Sequence, residues 1–481
     1  MSNMNCRGTR ADPWLALLFC FLGLLLILPT TASAAGSTIW VAPPNGKDDT
    51  ANIQAALNAC VTRGPGCTVQ LQAGKYFTKQ LVTYNFRGTF KGMGINQTTV
   101  EALHNLQVDL EPAGGVPESH CAPNTTTCRW PSLILFVDGD IHVSDLSIYI
   151  TAPPGTATTT WYFGGTPFIG LFDALSFMGQ HANVEVDRIH LEGLPDPTDG
   201  YDFNVVNGVH FTGEFPRSPT PWDWYFLSGS FTVRSSSFKN AAVGISQDAF
   251  VTSSQITIGG SPETGNHFEN DWSGIDIEAS EKSVVEISYN VSSGTYAGMW
   301  VVPWQPVFVP TSPSRYFIHD NKFTGTGQYA EGFYFLDDAA NPWIQAAAWN
   351  NTVELHDTLS EGIGAYNTKG TVLWNNSVTG TDGFDAVGLY SSTLDTVINN
   401  NVSGFTVDST VGNAQIYLDP STTNDLVVCA ERSDTVLNQG TNNIVIGCQP
   451  LIAATEATAE TPAPAVSAAK PDAPRGKPRL H

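Results

Sequence analysis

The chain has 481 residues, of which 45 are acidic and 22 are basic, and its formal net charge is −23. This surplus of carboxylates argues against nucleic acid as a partner, because binding to phosphate depends on Lys and Arg. An anionic ligand would need local basic residues or a bridging cation, so overall charge favours an uncharged ligand. Aromatic residues (11%) and a low charged fraction (14%) are typical of an extracellular protein rich in β-structure.

Residues 1–34 are predicted to be a secretory signal peptide. Arg7 and Arg10 precede an apolar run from Leu15 to Leu28, and Ala32-Ser33-Ala34 provides a cleavage site. The alternative is a membrane anchor, but the run is too short for a comfortable span. We therefore expect a secreted protein, extracellular or periplasmic, that has no membrane contact after signal removal.

The stretch "DDTANIQAALNAC" predicts the next element along the chain, a helix with Asp48 or Asp49 as its N-cap. A spacing near 3.6 residues predicts one apolar face, formed by Ile53, Ala56, Leu57 and Cys60. Such a helix is suited to cover the open end of a β-structure, whose unpaired strand edge would otherwise recruit other chains.

Most of the remaining chain repeats a unit of about 24 to 31 residues. One element begins with Ser or Asn, at Ser236, Asn266, Asn290, Asn321, Asn351, Asn376 and Asn400. A second begins with a small residue, at Gly208, Gly244, Gly274, Gly298, Gly332, Gly362, Gly388 and Ala414. A third precedes the Asn, as in "QITIG", "VVEIS" and "TVLWN".

Three short segments of period two per unit predict a coil of β-strands, and each coil must stack on its neighbours to bury its apolar side. Propeller blades need about 40 to 50 residues, which is longer than these units. We predict an all-β, single-stranded parallel β-helix, a solenoid, over residues 35–450 with a short N-terminal capping helix. The repeated Asn is expected at a corner, where its amide bonds to the next coil and its backbone tolerates a left-handed turn.

The N-terminal part resembles the entry sequence of the pectate lyase-like, right-handed β-helix superfamily. In that superfamily an Asp-Asp-Thr helix precedes a Gly-Xaa-Val-Xaa-Leu-Xaa-Xaa-Gly-Xaa-Tyr strand. Here "DDTANIQAALNAC" is followed by "GPGCTVQLQAGKYFTKQLV" and "FRGTFKGMGINQTTVEA". The resemblance covers most of residues 40–448 and implies a right-handed solenoid that acts on polysaccharides. Glycoside hydrolases, polysaccharide lyases, uronan epimerases and phage tailspikes share this fold, so it does not choose among chemistries.

Six cysteines follow the signal peptide, and their close spacing in an oxidising compartment predicts three local disulfides: Cys60–Cys67, Cys121–Cys128 and Cys429–Cys448. Residues 451–481 are rich in Ala and Pro and lack large apolar side chains. We predict that this tail is disordered.

Aligning the Gly-led segments predicts two columns of outward side chains on one face of the solenoid. The first column holds His210, Ser246, Asp276, Trp300, Tyr334, Gly364, Tyr390 and Tyr417. The second holds Thr212, Asp248, Glu278, Val302, Leu336, Tyr366, Ser392 and Asp419. Because adjacent strands lie about 4.8 Å apart, Asp248, Asp276 and Glu278 are expected to cluster.

Crowded carboxylates can divide into a proton donor and a base or nucleophile, and aromatic ring faces can cover the apolar side of a sugar. We predict Asp248, Asp276 and Glu278 as catalytic, with Glu278 or Asp276 as the donor and Asp248 as its partner. The predicted substrate-binding residues are His210, Trp300, Tyr334, Tyr366 and Tyr390. A polar outer face without chemistry is the competing interpretation.

No metal site is predicted, although Asp337 and Asp338 could bind calcium or substrate; a solvated turn explains them as well. Lys282 could be the base of a lyase if calcium sat on the carboxylates. Trp222 and Trp224 could form a wall of the cleft or pack on the coil.

The polygalacturonase runs Asn-Thr-Asp, Gly-His-Gly and Arg-Ile-Lys are absent, as is the Asp-Pro-His signature of uronan epimerases. No family's catalytic residues are therefore carried over. The sequence favours a glycoside hydrolase that needs no cofactor and cleaves a polysaccharide. The alternatives are a calcium-dependent lyase or epimerase of a uronan, and a non-catalytic glycan-binding or adhesion module.

Overall fold

A computed structural model describes residues 36–103, 132–151, 160–163, 166–169, 171–195, 204–213, 226–248, 251–279, 281–303, 312–326, 330–338, 342–356, 360–381, 383–405 and 414–451. The predicted signal peptide, Cys121 and Cys128, Trp222 and Trp224, and the predicted tail beyond Leu451 lie outside the described residues. Within the described ranges, no helix is long and apolar enough to cross a membrane.

The chain forms a right-handed parallel β-helix, as the repeats and the resemblance predicted. One helix, α1 (Thr50–Arg63), lies near its start. The first strands are β1 (Thr38–Trp40), β2 (Cys67–Gln70), β3 (Gly74–Thr78), β4 (Leu81–Lys91), β5 (Thr98–Ala102), β6 (Ser132–Tyr149), β7 (Thr160–Phe163), β8 (Thr166–Ile169) and β9 (Leu171–Glu192). Strands β7 and β8 form a separate antiparallel pair.

The central coils contain β10 (Val205–Gly213), β11 (Ser228–Arg234), β12 (Ser237–Lys239), β13 (Val243–Gln247), β14 (Gln255–Gly259), β15 (His267–Glu269), β16 (Ser273–Ala279), β17 (Val284–Ser288), β18 (Val291–Thr295), β19 (Ala297–Pro303), β20 (Ser314–His319), β21 (Lys322–Gly325) and β22 (Glu331–Leu336).

The last coils contain β23 (Ile344–Trp349), β24 (Thr352–Leu355), β25 (Glu361–Tyr366), β26 (Val372–Trp374), β27 (Ser377–Thr379), β28 (Asp385–Tyr390), β29 (Thr396–Ile398), β30 (Asn401–Ser403), β31 (Ala414–Leu418), β32 (Leu426–Val428), β33 (Thr435–Asn438), β34 (Ile444–Ile446) and β35 (Gln449–Pro450).

Parallel pairing between successive coils builds three walls. Sheet I is formed by β1, β2, β4, β6, β9, β11, β14, β17, β20, β23, β26, β29, β32 and β34. Sheet II is formed by β3, β5, β6, β9, β12, β15, β18, β21, β24, β27 and β30. Sheet III, which contains the Gly-led segments, is formed by β4, β6, β9, β10, β13, β16, β19, β22, β25, β28, β31, β33 and β35. The long strands β4, β6 and β9 each contribute to more than one wall.

Apolar side chains from all three sheets fill the interior and repeat from coil to coil. Phe136, Phe177 and Phe211 stack along the axis, with ring centroids 5.8 and 5.5 Å apart. Inward residues such as Ile275 and Ile277 are almost fully buried, and their alternation with outward residues follows from the period of two in a strand. The inward face therefore holds the coils together, and the outward residues of each sheet are available for function.

Helix α1 packs on β1, β2 and β4, and its buried face is the predicted one, formed by Ile53, Ala56, Leu57 and Cys60. The predicted disulfides Cys60–Cys67 and Cys429–Cys448 are present. The N-cap prediction needs a correction for Asp49, whose carboxylate accepts from the backbone N–H groups of Asn45 and Phe77. It is the carboxylate of Asp48 that accepts from the N–H of Thr50.

A ladder of buried asparagines occupies the corner between sheets I and II, as predicted. Each Nδ2 donates to the Oδ1 of the next member at 2.9–3.0 Å, and that Oδ1 also accepts from the backbone N–H of the preceding member. The members are Asn266, Asn290, Asn321, Asn351, Asn376 and Asn400. The left-handed residue, however, is the one before the ladder asparagine, such as Asp320 (φ 55°) or Asn350 (φ 54°).

We expect Asn321→Ala to lower the free energy of unfolding by about 2–4 kcal/mol, because the buried backbone N–H of Asn290 loses its acceptor and the side-chain amide of Asn290 loses one of its acceptors. Asn401→Ala, at an exposed position of β30, is the matched control and should change stability by less than about 0.5 kcal/mol. Urea denaturation followed by circular dichroism measures both, and equal effects would contradict a structural role for the ladder.

Asp395, a buried acid at the corner between β28 and β29, makes the stability of the fold depend on pH. Burial raises the pKa of Asp395 from 3.8 to about 7, although its carboxylate accepts from Thr368 Oγ1 and from the Thr371 N–H. The folded chain therefore keeps this proton to a higher pH than the unfolded chain, and the contribution to stability falls as pH rises from about 4 to about 7. Asp395→Asn should gain stability relative to the wild type as pH rises from 5 to 8, measured by thermal melting at each pH. A melting-temperature difference between Asp395→Asn and the wild type that stays constant from pH 5 to 8 would contradict the raised pKa of Asp395.

Candidate functional site

The outward face of sheet III brings the three predicted catalytic carboxylates together. In the pairing of β13 with β16, Ser246 lies beside Asp276, and in the pairing of β16 with β19, Asp276 lies beside Trp300. Asp248 directly follows β13, and its N–H donates to the Phe211 carbonyl at 3.2 Å. The register of β13 with β16 ends at Gln247 beside Ile277, and Asp248 and Glu278 are the next residues of these neighbouring coils.

The tyrosines of this face follow a different alignment from the predicted one. Tyr390 pairs with Tyr366, and Gly388 pairs with Gly364. Tyr390 therefore belongs to the second column, in the place predicted for Ser392. The predicted alignment of this coil was wrong by two residues. It matched Gly388 with Gly362, whereas the residue at the position of Gly362 is Ala386.

Most of the predicted site residues are buried. Asp248 is 4% exposed, Asp276 and Glu278 are each 8% exposed, and Trp300 is 2% exposed. Tyr334, Tyr366 and Tyr390 are partly buried. Low exposure around several carboxylates strengthens the electrostatic interactions between them, because little water is present to screen charge.

A buried imidazole joins two carboxylates behind the cluster. His210 Nδ1 lies 3.1 Å from Asp173 Oδ2, and His210 Nε2 lies 3.6 Å from Asp248 Oδ2. Asn207 Nδ2 donates to Asp173 at 2.8 Å, and Thr212 Oγ1 donates to Asp248. The three strands β9, β10 and β13 thus each contribute to one polar chain that ends on Asp248.

Desolvation alone would lower the pKa of His210, but the charges and hydrogen bonds of Asp173 and Asp248 outweigh it and raise the pKa to about 10. The imidazole is therefore positively charged at neutral pH. We predicted His210 as a sugar contact, but at 1% exposure, with a carboxylate near each ring nitrogen, it is placed to position Asp248 instead.

Sequence reasoning missed Asp173. The segment "LFDALSF" of β9 takes the same place on sheet III as "VVNGVHF" of β10, so that Asp173 pairs with Asn207. It lacks the leading Gly by which we aligned the other copies, since Ala174 stands there. Accepting any small residue in that position would have found this coil.

The aromatic residues form a continuous series along the solenoid axis. Successive ring centroids are 4.9 to 5.2 Å apart from Trp272 through Trp300 to Tyr334, and 4.4 to 4.7 Å apart from Tyr334 through Tyr366 to Tyr390. The Tyr366 and Tyr390 rings are stacked, with planes 7° apart. Their faces therefore cover each other, and a sugar would meet ring edges over this part of the series. The predicted stacking of sugar on these two ring faces does not fit this geometry.

Each of the stacked tyrosines bonds to an acid on its own strand. Tyr366 donates its hydroxyl to Glu361 at 2.6 Å, and Tyr390 donates to Asp385 at 2.5 Å. Burial, followed by the nearby carboxylates, raises the pKa of both phenols well above the ordinary value, so they remain protonated donors. A Cβ on Gly364 would lie 2.7 Å from the Tyr366 ring, so the glycine makes room for the side chain.

The charges on sheet III are almost all negative. Its described strand segments contain no Lys or Arg, and His210 is the only histidine among them. The acids on these segments, with Asp248 directly after β13, are Asp173, Asp248, Asp276, Glu278, Glu331, Glu361 and Asp385. An anionic ligand on this face would meet uncompensated negative charge in the part of the chain that the structure describes.

The residues considered for calcium do not form a site of their own. Asp337 accepts from the N–H groups of Asp338, Trp343 and Ile344, and burial raises its pKa to about 6. Across the described ranges, no three His, Cys, Asp or Glu side chains are arranged to hold a metal ion. Lys282 is half exposed and pairs with Glu281 at 2.5 Å.

Comparison with known proteins identifies the fold. No protein-family model matches the chain, and no curated protein matches its sequence. The A-module of the mannuronan C-5 epimerase AlgE6 from Azotobacter vinelandii is 13% identical, with a TM-score of 0.51 over 84% of this chain and 96% of that one. The Dettilon tailspike protein is 13% identical, with a TM-score of 0.51 over 86% of this chain and 68% of that one.

The chain shares the right-handed parallel β-helix fold of these proteins. At 13% identity the likeness establishes the fold alone.

The Asp173–His210 pair predicts the titration of one histidine. Asp173→Asn removes one of the two negative charges that favour the imidazolium, so we expect the pKa of His210 to fall from about 10 toward the neutral range. Histidine side-chain NMR against pH measures this shift. Glu192→Gln, beside the separate His190, is the control and should leave His210 unchanged. An unaltered His210 titration in Asp173→Asn would contradict the ion pair.

Proposed function

We propose that the chain is a carbohydrate-active enzyme, a glycoside hydrolase that cleaves a polysaccharide lying along the outward face of sheet III. The observation that carries this proposal is the grouping of Asp248, Asp276 and Glu278 beside Trp300, with His210 and Asp173 behind Asp248. Acid–base cleavage of a glycosidic bond needs two carboxyl groups with different roles, and here their surroundings differ.

Asp248 is the better candidate for the base or nucleophile. The imidazolium of His210 lies 3.6 Å from its carboxylate, and the Thr212 hydroxyl donates to the same oxygen, so two neighbours hold this carboxylate in place. His210 and Asp173 act as positioning residues in this assignment, because neither reaches the outer surface. The dense burial around this chain of polar groups also fixes the orientation of Asp248.

Glu278 is the better candidate for the proton donor, because it lies directly beside Asp248 on the next coil. Neighbouring strands are about 4.8 Å apart, which is near the roughly 5–5.5 Å separation of carboxyl groups in retaining glycosidases. Glu278 would protonate the glycosidic oxygen as the bond from C1 to that oxygen breaks. Asp248 would attack C1, and water would then release the sugar. Asp276 would accept hydrogen bonds from sugar hydroxyls.

The charge of sheet III supports an uncharged polysaccharide over a polyuronate. A chain of uronate groups would bring one negative charge per sugar to a face whose described strand segments offer no Lys or Arg. One structural neighbour is a module of a mannuronan C-5 epimerase, so uronan chemistry is the alternative to be tested. The third hypothesis for the same face is a non-catalytic module that binds glycan.

The first test is a screen of wild-type protein against uncharged polysaccharides and polyuronates, with and without EDTA. We expect new reducing ends from an uncharged substrate, no ultraviolet-absorbing unsaturated product, and no effect of EDTA. Unsaturated products from a polyuronate, or a calcium requirement, would replace the hydrolase with a lyase or epimerase. Binding without turnover of any substrate would leave the non-catalytic module.

In the hydrolase, Glu278→Gln should lower turnover by about 10²- to 10⁴-fold while substrate binding is retained, because it removes the proton donor but keeps the shape. Asp248→Asn should have an effect of similar size. Glu286→Gln, a half-exposed position on the outward face of sheet I, is the control and should retain wild-type activity. Full activity of Glu278→Gln would remove this residue from the mechanism.

A further inference from the structure

A second outward surface stands apart from the candidate active site. On sheet I, the outward residues of five successive strands, β23, β26, β29, β32 and β34, lie in two rows. One row is Ala347, Val372, Thr396, Leu426 and Ile444, and the other is Trp349, Trp374, Ile398, Val428 and Ile446. We call these ten residues the apolar strip. Nine are apolar and none is charged.

Four residues of the strip are exposed to solvent, and the other six are half-buried. Trp374 is 49% exposed, Val372 37%, Ile444 58% and Ile446 51%. Outward positions of the same sheet in earlier coils are mostly polar or charged, as at Thr257 and Glu286, although Val284 and Phe317 are apolar, so the fold does not require two continuous apolar rows there. Apolar side chains that adjoin one another over five coils favour a contact surface, because isolated apolar residues are the ordinary case on a protein surface.

Hydrogen-bonding groups border the strip on both sides, and all of them except Lys369 are uncharged. Asn350, Asn375 and Asn399 follow the strands at one edge, where Asn375 Nδ2 donates to Asn350 Oδ1 at 2.7 Å. The row at the other edge is Lys369, Thr393, Thr423 and Thr441, aligned by bridges between successive coils. An apolar centre with amide and hydroxyl edges is complementary to a sugar chain, which presents C–H groups on its ring faces and hydroxyls at its sides.

Leu394 has a left-handed backbone conformation that the packing of the folded chain does not explain. It occupies a left-handed corner beside the strip (φ 60°), where the neighbouring coils have Gly370, Asn424 and Asn442. A leucine is strained in this conformation, which Gly and Asn tolerate. Because Leu394 is also 56% exposed, burial does not compensate for the strain. Strain of this kind points to a contact outside the folded chain.

We propose that the apolar strip binds a single extended chain of an uncharged polysaccharide, separately from the face that carries the candidate catalytic residues. The strip spans five strands, and hence about 19 Å along the axis at about 4.8 Å per strand, with a width of about 7 Å for two residues of one strand. A stable protein partner needs about 800 Å² on each side, which is several times more than this surface offers. The net charge of −23 also opposes pairing of two copies.

Binding to the strip does not depend on the proposed hydrolysis, because sheets I and III are different walls of the solenoid. The test is retention of the full chain on insoluble cellulose, chitin, curdlan and starch granules, with calcium alginate gel as the charged comparison. We expect retention on at least one of the four uncharged polymers. Retention on alginate alone, or on none of the five, would overturn the proposal.

Trp374→Ala should weaken retention by about tenfold or more, as expected for loss of a central aromatic contact. Trp40→Ala is the matched control, because Trp40 is 59% exposed on the first strand of the same sheet. Equal losses in the two variants, or none in Trp374→Ala, would overturn the assignment.

Leu394→Asn separates binding from folding. Relief of the left-handed strain should keep or raise the melting temperature, whereas removal of the apolar side chain should weaken retention. Unchanged retention would exclude Leu394 from the surface. Two other outcomes would also make the proposal wrong, if retention on the polymers was unchanged in Trp374→Ala. Loss of self-association in sedimentation would assign the strip to a second copy of the chain. Loss of binding to phosphatidylcholine vesicles would assign it to a lipid surface.

Discussion

The stacking of each coil on the next is the constraint on which the rest of this structure depends. A single coil has unpaired backbone N–H and C=O groups along both edges, and parallel pairing with its two neighbours satisfies them. The same pairing fixes every side chain above its counterpart in the preceding coil. At the corner between sheets I and II, the requirement extends to buried side chains, and the asparagine ladder meets it by bonding each amide to the next.

Backbone pairing, the apolar interior and the corner hydrogen bonds hold the coils together, so the residues at the outward positions can vary from coil to coil. Sheet III uses them for carboxylates and rings, and the last coils of sheet I use them for exposed apolar residues. The two walls therefore differ in chemistry although they share one backbone arrangement. A function can change along such a solenoid without any change in the fold.

On sheet III, one buried positive charge organises the candidate catalytic residues. Asp173 and Asp248 face the two ring nitrogens of His210, and this ion pairing holds the imidazole charged in a place with little water. Asp248 thereby has an imidazolium beside it, whereas Glu278 and Asp276 lie on the next coil. A difference in surroundings of this kind allows similar carboxylates to take unlike roles.

The sequence by itself determined the features that depend on local period and spacing. The repeat of about 24 to 31 residues predicted the solenoid, the 3.6 spacing predicted the buried face of α1, and close cysteine pairs predicted two disulfides that the structure contains. Alternation on the Gly-led strands was also enough to place Asp276 and Glu278 on one outward face.

The tertiary structure alone decided the relations between coils. Three features depend on inter-coil hydrogen bonds: the contact of Asp173 with His210 across a sequence separation of 37, the shift of Tyr390 by two positions, and the mutual stacking of Tyr366 and Tyr390. The segments between strands vary in length from coil to coil, so counting residues does not give that register. Backbone pairing gives it, because a strand can slide only in steps that restore every hydrogen bond.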